Sequence, residues 1–173
     1  MADTTAPQER LQPALLDRLT DDEPDKKVEP REARVLSKRR LRESVLRDLA
    51  WLFNATRLEA VNPLAKAPFV RKSVLNFGLP ALSGTTASSL DVTDLTRAVR
   101  EAILTFEPRI LPSTLEVRTM LEAGDLDHHN VIGVEIQGQL WAQPIPIEFL
   151  VRTDFDLETG KVQITDLGSP RGA

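Results

Sequence analysis

A chain of 173 residues, 41% of them hydrophobic, is long enough for one domain with its own core and leaves room for an extended arm. The formal net charge of −4 gives no overall pull towards nucleic acid or an anionic membrane, and the lack of cysteine excludes a disulfide framework and thiol chemistry. The polar start, with Asp3 early, shows no basic patch followed by an apolar stretch, and no apolar run approaches a membrane span, so a cytoplasmic location is expected.

Residues 1–35 read as an N-terminal arm and 36–173 as the domain proper. Within the arm, Glu9 to Leu19 places Leu11, Leu15, Leu16 and Leu19 on one helical face, followed by a polar, proline-closed stretch from Thr20 to Pro30. Those leucines either dock on a neighbour or pack on the chain's own body. Ser37 to Asn54 has the strongest helical period. Leu41, Val45, Leu49 and Leu52 form its stripe, Leu46 and Phe53 widen it, and Ser37 suits the N-cap.

Around that helix start lie Arg31, Arg34, Lys38, Arg39, Arg40, Arg42 and Arg47, the one stretch that could suggest a nucleic-acid module. It has no interleaved aromatics, and Glu32, Glu43 and Asp48 dilute it, so a solvated helix face is expected and no nucleic-acid partner. An acidic docking partner is the second reading. Thr56 to Ala67 carries no readable pattern.

Pro68 to Asn76 suggests a shorter helix, with Gly78 left-handed at its end, Leu79 covering it and Pro80 preventing continuation. After a polar loop over Gly84 to Ser89, Asp91 is expected to cap a third long helix, with Asp94 supporting its positive end. Val92, Leu95, Val99, Ala102, Ile103 and Phe106 make its buried face, and Pro108 stops it.

Beyond Pro108 the period becomes strand-like. Thr114 to Leu121 alternates, Gly124 to Asp127 turns, and Val131 to Leu140 alternates with Ile132, Val134, Ile136 and Leu140 on one face. Ile145 to Thr153 follows, entered through Pro144 and Pro146, which suit an edge or a strand start. Glu158-Thr159-Gly160 then turns into a partner strand over Lys161 to Thr165. The fold class is α+β: N-terminal helices followed by a small antiparallel C-terminal sheet.

Glu107 stands at the negative end of its helix, where an exposed carboxylate costs about 0.3–1 kcal/mol, and the positions one turn back, Ile103 and Leu104, offer it no cation. Pro108 turns it off the helix, and Arg109 beyond the proline can make bidentate contacts. The pair is either a local helix stop or is aimed at a partner chain.

Several stretches, in order, carry a family resemblance: Leu15 to Pro24, Leu41 to Asn54, Ser73 to Pro80, Phe106-Glu107-Pro108-Arg109-Ile110, Gly138 to Ala142 and Asp156 to Gly160. Together they resemble the TssE proteins of the type VI secretion baseplate, related to a wedge protein of contractile phage baseplates that has carried a lysozyme label. The resemblance implies a scaffold joining wedge proteins (TssF, TssG, TssK) to the contractile sheath (TssB, TssC) and helping to start its assembly. It implies that Glu107, Pro108 and Arg109 bind a partner, so that exchanging Glu107 or Arg109 would stop sheath assembly but leave the domain folded. Ala81-Leu82-Ser83 departs from the family pattern after Gly-Leu-Pro, where an acidic residue is expected. A strand-accepting edge on the sheet would serve the joining, with Pro144 and Pro146 protecting part of it.

The lysozyme label raises a glycosidase, for which Glu107 with Asp125 or Asp127 would be the carboxylates. No tyrosine offers a sugar platform, and Trp51 and Trp141 are expected in the core. His128-His129, on opposite faces of an extended segment, makes no metal site. The expectation is a structural protein with no catalytic, cofactor or metal site and no membrane insertion.

Overall fold

The change of period near residue 110 divides the molecule into its two layers. The structure, a computed structural model, describes residues 14–20, 25, 37–82, 92–120, 131–142 and 144–168. Helices α1 (Leu15–Leu19), α2 (Lys38–Asn54), α3 (Pro68–Arg71) and α4 (Val92–Phe106) precede strands β1 (Glu116–Met120), β2 (Val131–Leu140), β3 (Ile147–Asp156) and β4 (Val162–Asp166). The strands form one antiparallel sheet in the order β1-β2-β3-β4, so the α+β reading holds. The loop from Gly84 to Ser89, the Asp91 cap, the turn over Gly124 to Asp127, His128-His129, and Arg31 with Arg34 lie outside the described residues.

Ser37 caps α2 as its sequence suggests, its side chain accepting from the Arg40 N–H. The stripe from Leu41 to Phe53 is buried together with Leu95, Val99, Ala102 and Ile103 of α4. Both helices lie on the sheet face that carries Ile132, Val134, Ile136, Phe149, Val151 and Phe155, with α2 beside β4 and α4 beside β1. Phe53 meets Phe155 across this interface at 6.1 Å between ring centroids.

Three expectations are corrected. Trp51 and Trp141 are not core residues but are 53% and 48% exposed, because Trp51 lies on the outer side of α2 and Trp141 lies just past the end of β2. Pro144 and Pro146 protect no edge: they precede β3, which is an interior strand paired on both sides. The basic face of α2 is not simply solvated. Arg42 reaches Asp166 through Nε (2.7 Å) and Nη2, gives Nη1 to the Glu148 carbonyl (2.7 Å), and so fastens α2 to β3 and β4.

Pro68 to Asn76 is not one helix. It breaks after Arg71, and a 3-10 turn follows over Val74–Asn76. Ser73 interrupts it by donating its hydroxyl to the Val70 carbonyl and accepting from the Leu75 N–H, a competition with helical bonding typical of serine. Gly78 has φ +123°, and a Cβ there would stand 2.3 Å from the Ala55 carbonyl oxygen. Only glycine lets the chain pass so close to the end of α2.

Candidate functional site

The turn after α4 collects the polar groups that sequence spacing could not join. The helix ends at Phe106, and the Glu107 N–H still donates to the Ile103 carbonyl at 2.9 Å. Pro108 turns the chain, and Arg109 folds back so that Nε meets Glu107 Oε1 at 2.7 Å while Nη2 takes Oε2. The carboxylate opposed by its helix dipole is therefore neutralised from across the proline. Glu107 is 4% exposed.

The same guanidinium holds α2. Its Nη1 donates to Ser44 Oγ at 2.8 Å and its Nη2 to Asp48 Oδ2. Ser44 in turn donates to Asp17 Oδ2 of α1 at 2.7 Å, and Arg47 reaches Asp17 Oδ1 at 2.7 Å. One polar chain thus runs from α1 through α2 to the turn after α4. Burial works against the Arg109 cation, but Glu107 and Asp48 outweigh it and raise its pKa further above the already high arginine value. Burial likewise disfavours the ionised Asp17, yet the bonds from Ser44 and Arg47 hold its carboxyl below the usual range.

Of the two readings of the arm, packing of its leucines on the chain's own body is not what Leu15, Leu16 and Leu19 show, and docking on a neighbour is the one their exposure leaves; Leu11 lies outside the described residues. Helix α1 lies on the body through the polar Asp17, and Leu15, Leu16 and Leu19 face outward. Beside it a groove of about 480 Å³ is lined by Ala14, Trp51, Leu52, Phe77, Phe106 and Pro108, among others. Phe77 and Phe106 meet edge to face at 5.3 Å, and Arg47 lies over the Trp51 ring at 5.3 Å. Of the three residues singled out in the sequence, Glu107 points inward, Arg109 is mostly engaged inside, and Pro108 is exposed at the groove. An exchange at Glu107 or Arg109 is thus expected to weaken the fold, contrary to the expectation from sequence, because it leaves a buried ion without its partner.

The two sheet edges differ. On β4, the Asn54 side chain accepts from the Val162 N–H and donates to the Val162 carbonyl, both at 3.0 Å, occupying the first outward pair. On β1, among the described residues no strand and no side chain pairs with the outer backbone, and every residue is exposed or half-exposed. Ser44, Asp48, Asp17 and Asn54 were not singled out in the sequence. The only hint was a serine on the otherwise apolar side of α2.

Among the described residues no cluster of three or more histidine, aspartate or glutamate side chains could hold a metal ion. No helix among them is long and apolar enough to cross a membrane. Asp125 and Asp127, the other carboxylates of the glycosidase reading, lie outside the described residues. Residues 39–145 match the family described as baseplate wedge protein gp25. Comparison with curated proteins and with solved structures gave no match.

Proposed function

This chain belongs to the baseplate wedge protein gp25 family, a family of structural baseplate components, and from that membership we propose that it is the TssE-type scaffold of a type VI secretion system. It works in the cytoplasm as the joint between the wedge, built with TssF, TssG and TssK, and the first ring of the contractile sheath, built of TssB and TssC. The domain proper, 36–173, forms the joint, and α1, within the arm 1–35, is held to it through Asp17. It needs no catalytic, cofactor or metal site and no nucleic acid. The inward-turned Glu107 fits an assembly role and not a carboxylate offered to substrate.

The observation that carries the reading is the asymmetry of the sheet. An exposed strand edge accepts a strand from another chain through main-chain hydrogen bonds. Among the described residues the outer edge of β1 is open along its length, whereas β4 is stopped at Val162 by Asn54. Sheath strands therefore join at β1. The wedge meets the groove at Pro108, which Glu107 and Arg109 hold in place from inside.

Co-expression with TssF, TssG and TssK is expected to yield a stable complex. Proline at Arg118 or Thr119, at whichever of the two tolerates it without loss of fold and so turns its N–H outward, should leave that complex intact and abolish sheath assembly in cells. Normal sheaths with β1 blocked in this way would sink the edge assignment, and failure to co-purify with any wedge or sheath protein would remove the whole reading.

A further inference from the structure

The segment between α2 and Gly78, whose first half had no readable pattern, is a closed loop. Its ends are pinned where the Arg57 N–H donates to the Leu79 carbonyl and the Leu79 N–H to the Ala55 carbonyl, both at 2.9 Å. Inside, the buried Asn76 acts as a hub. Its Oδ1 accepts from the Glu59 N–H at 2.9 Å, and its Nδ2 donates to the Arg71 carbonyl at 3.0 Å. Leu64 is buried within the loop.

This well-tied loop turns its largest apolar side chains outward. Phe69 is 90% and Val74 80% exposed, on adjoining turns, and Leu75 and Val61 are also exposed. An exposed group of this kind, on a shape fixed in advance, is characteristic of an interaction surface with little ordering cost on binding. The charges around it run against the sign of the chain. Arg57, Lys66, Arg71 and Lys72 accompany the single carboxylate of Glu59, already paired with Arg71 at 3.2 Å, in a molecule of net charge −4.

We propose that the loop over 58–77 is a preformed knob that docks onto an acidic, apolar-pocketed surface of another protein subunit in the same assembly. The proposal rests on the scaffold reading above. A symmetric contact with a second copy would set the same cations against each other, which disfavours self-association through this face. The exposed Phe69 and Val74 are not among the residues that line the groove at Pro108, which the loop reaches through Phe77 at its end, so the two surfaces can hold different neighbours.

The test places a photo-crosslinking amino acid at Phe69 or, as a reference, at Pro108, in the full chain co-expressed with the wedge and sheath subunits named above. Crosslinking from position 69 to one of those subunits is expected. Co-purification of that subunit should fall by about tenfold or more in a Lys66→Glu, Lys72→Glu variant, with an unchanged melting curve and a steep loss of native binding as salt rises. A crosslink at 108 but none at 69 overturns the knob and leaves the scaffold reading standing; none at either position overturns both. Dimerisation of the purified chain that Phe69→Ser abolishes, or retention on phosphatidylglycerol vesicles that Lys66→Glu with Lys72→Glu abolishes, would also overturn the proposal.

Discussion

The turn after α4 and the loop over 58–77 both interrupt regular structure, and both leave apolar side chains in water. The turn, however, is held inside by charges and the loop by a neutral amide and the backbone. At the turn, Glu107 is buried against Arg109, and Arg109 in turn binds Ser44 and Asp48, leaving Pro108 outside. In the loop, Asn76 and the backbone are satisfied inside while Phe69 and Val74 stand in water. A charged motif is not by itself a contact surface, and an apolar residue is not by itself core. Where a residue points depends on what its neighbours can satisfy.

The comparison breaks first at Arg109. Arg109→Ala leaves the Glu107 carboxylate buried without its cation, and the loss of stability in urea unfolding is expected to be about 3–5 kcal/mol. Arg109→Lys should recover only part of it, since an ammonium cannot reproduce the bidentate geometry. A loss under about 1 kcal/mol, the range of an exposed pair, would show that the turn is not held as described.

At the base of the loop, Gly78→Ala forces a Cβ into the Ala55 carbonyl at a positive φ. It should cost about 1–3 kcal/mol. It should also speed hydrogen exchange of the Arg57 and Leu79 amides, leaving those of β2 protected.

Acid sharpens the comparison on a smaller scale. The folded Asp17 pKa lies below the unfolded value of about 3.9. Its contribution is therefore complete above that value and is lost as the pH falls through the folded one. As the pH falls through that lower, folded value, the Ala14 amide, which donates to Asp17, should lose its distinct chemical shift before the sheet unfolds. The smallest effect belongs to Phe69→Ser, expected to change stability by no more than about 0.5 kcal/mol, since the ring is already in water.

Much of the body was legible because its signals are local. The four- and three-residue spacing of α2, Ser37 as its cap, the Pro108 stop and the alternation of β2 all come from neighbours in sequence, and the structure bears them out. The site was legible only in part. Glu107 and Arg109 were seen as a pair, but Ser44 and Asp48, which decide how that pair is buried, lie more than sixty residues away. The tryptophans misled for a related reason: burial of Trp51 depends on which side of α2 the sheet covers, and the rotation of about 100° from one residue to the next decides it. The segment before Pro68 has no period because its order comes from Asn76 and the closed base, not from repeated side chains.

A unit with two free strand edges can be built into a sheet anywhere, and can also polymerise with itself. By filling the first outward bonding pair of β4, Asn54 acts as an end-capper at that end of the strand, while among the described residues nothing fills the outer bonds of β1. Under the scaffold reading proposed above, such a unit would begin a strand-exchanging array more readily than it would fill a place in its middle, and the valency of its sheet would set that difference.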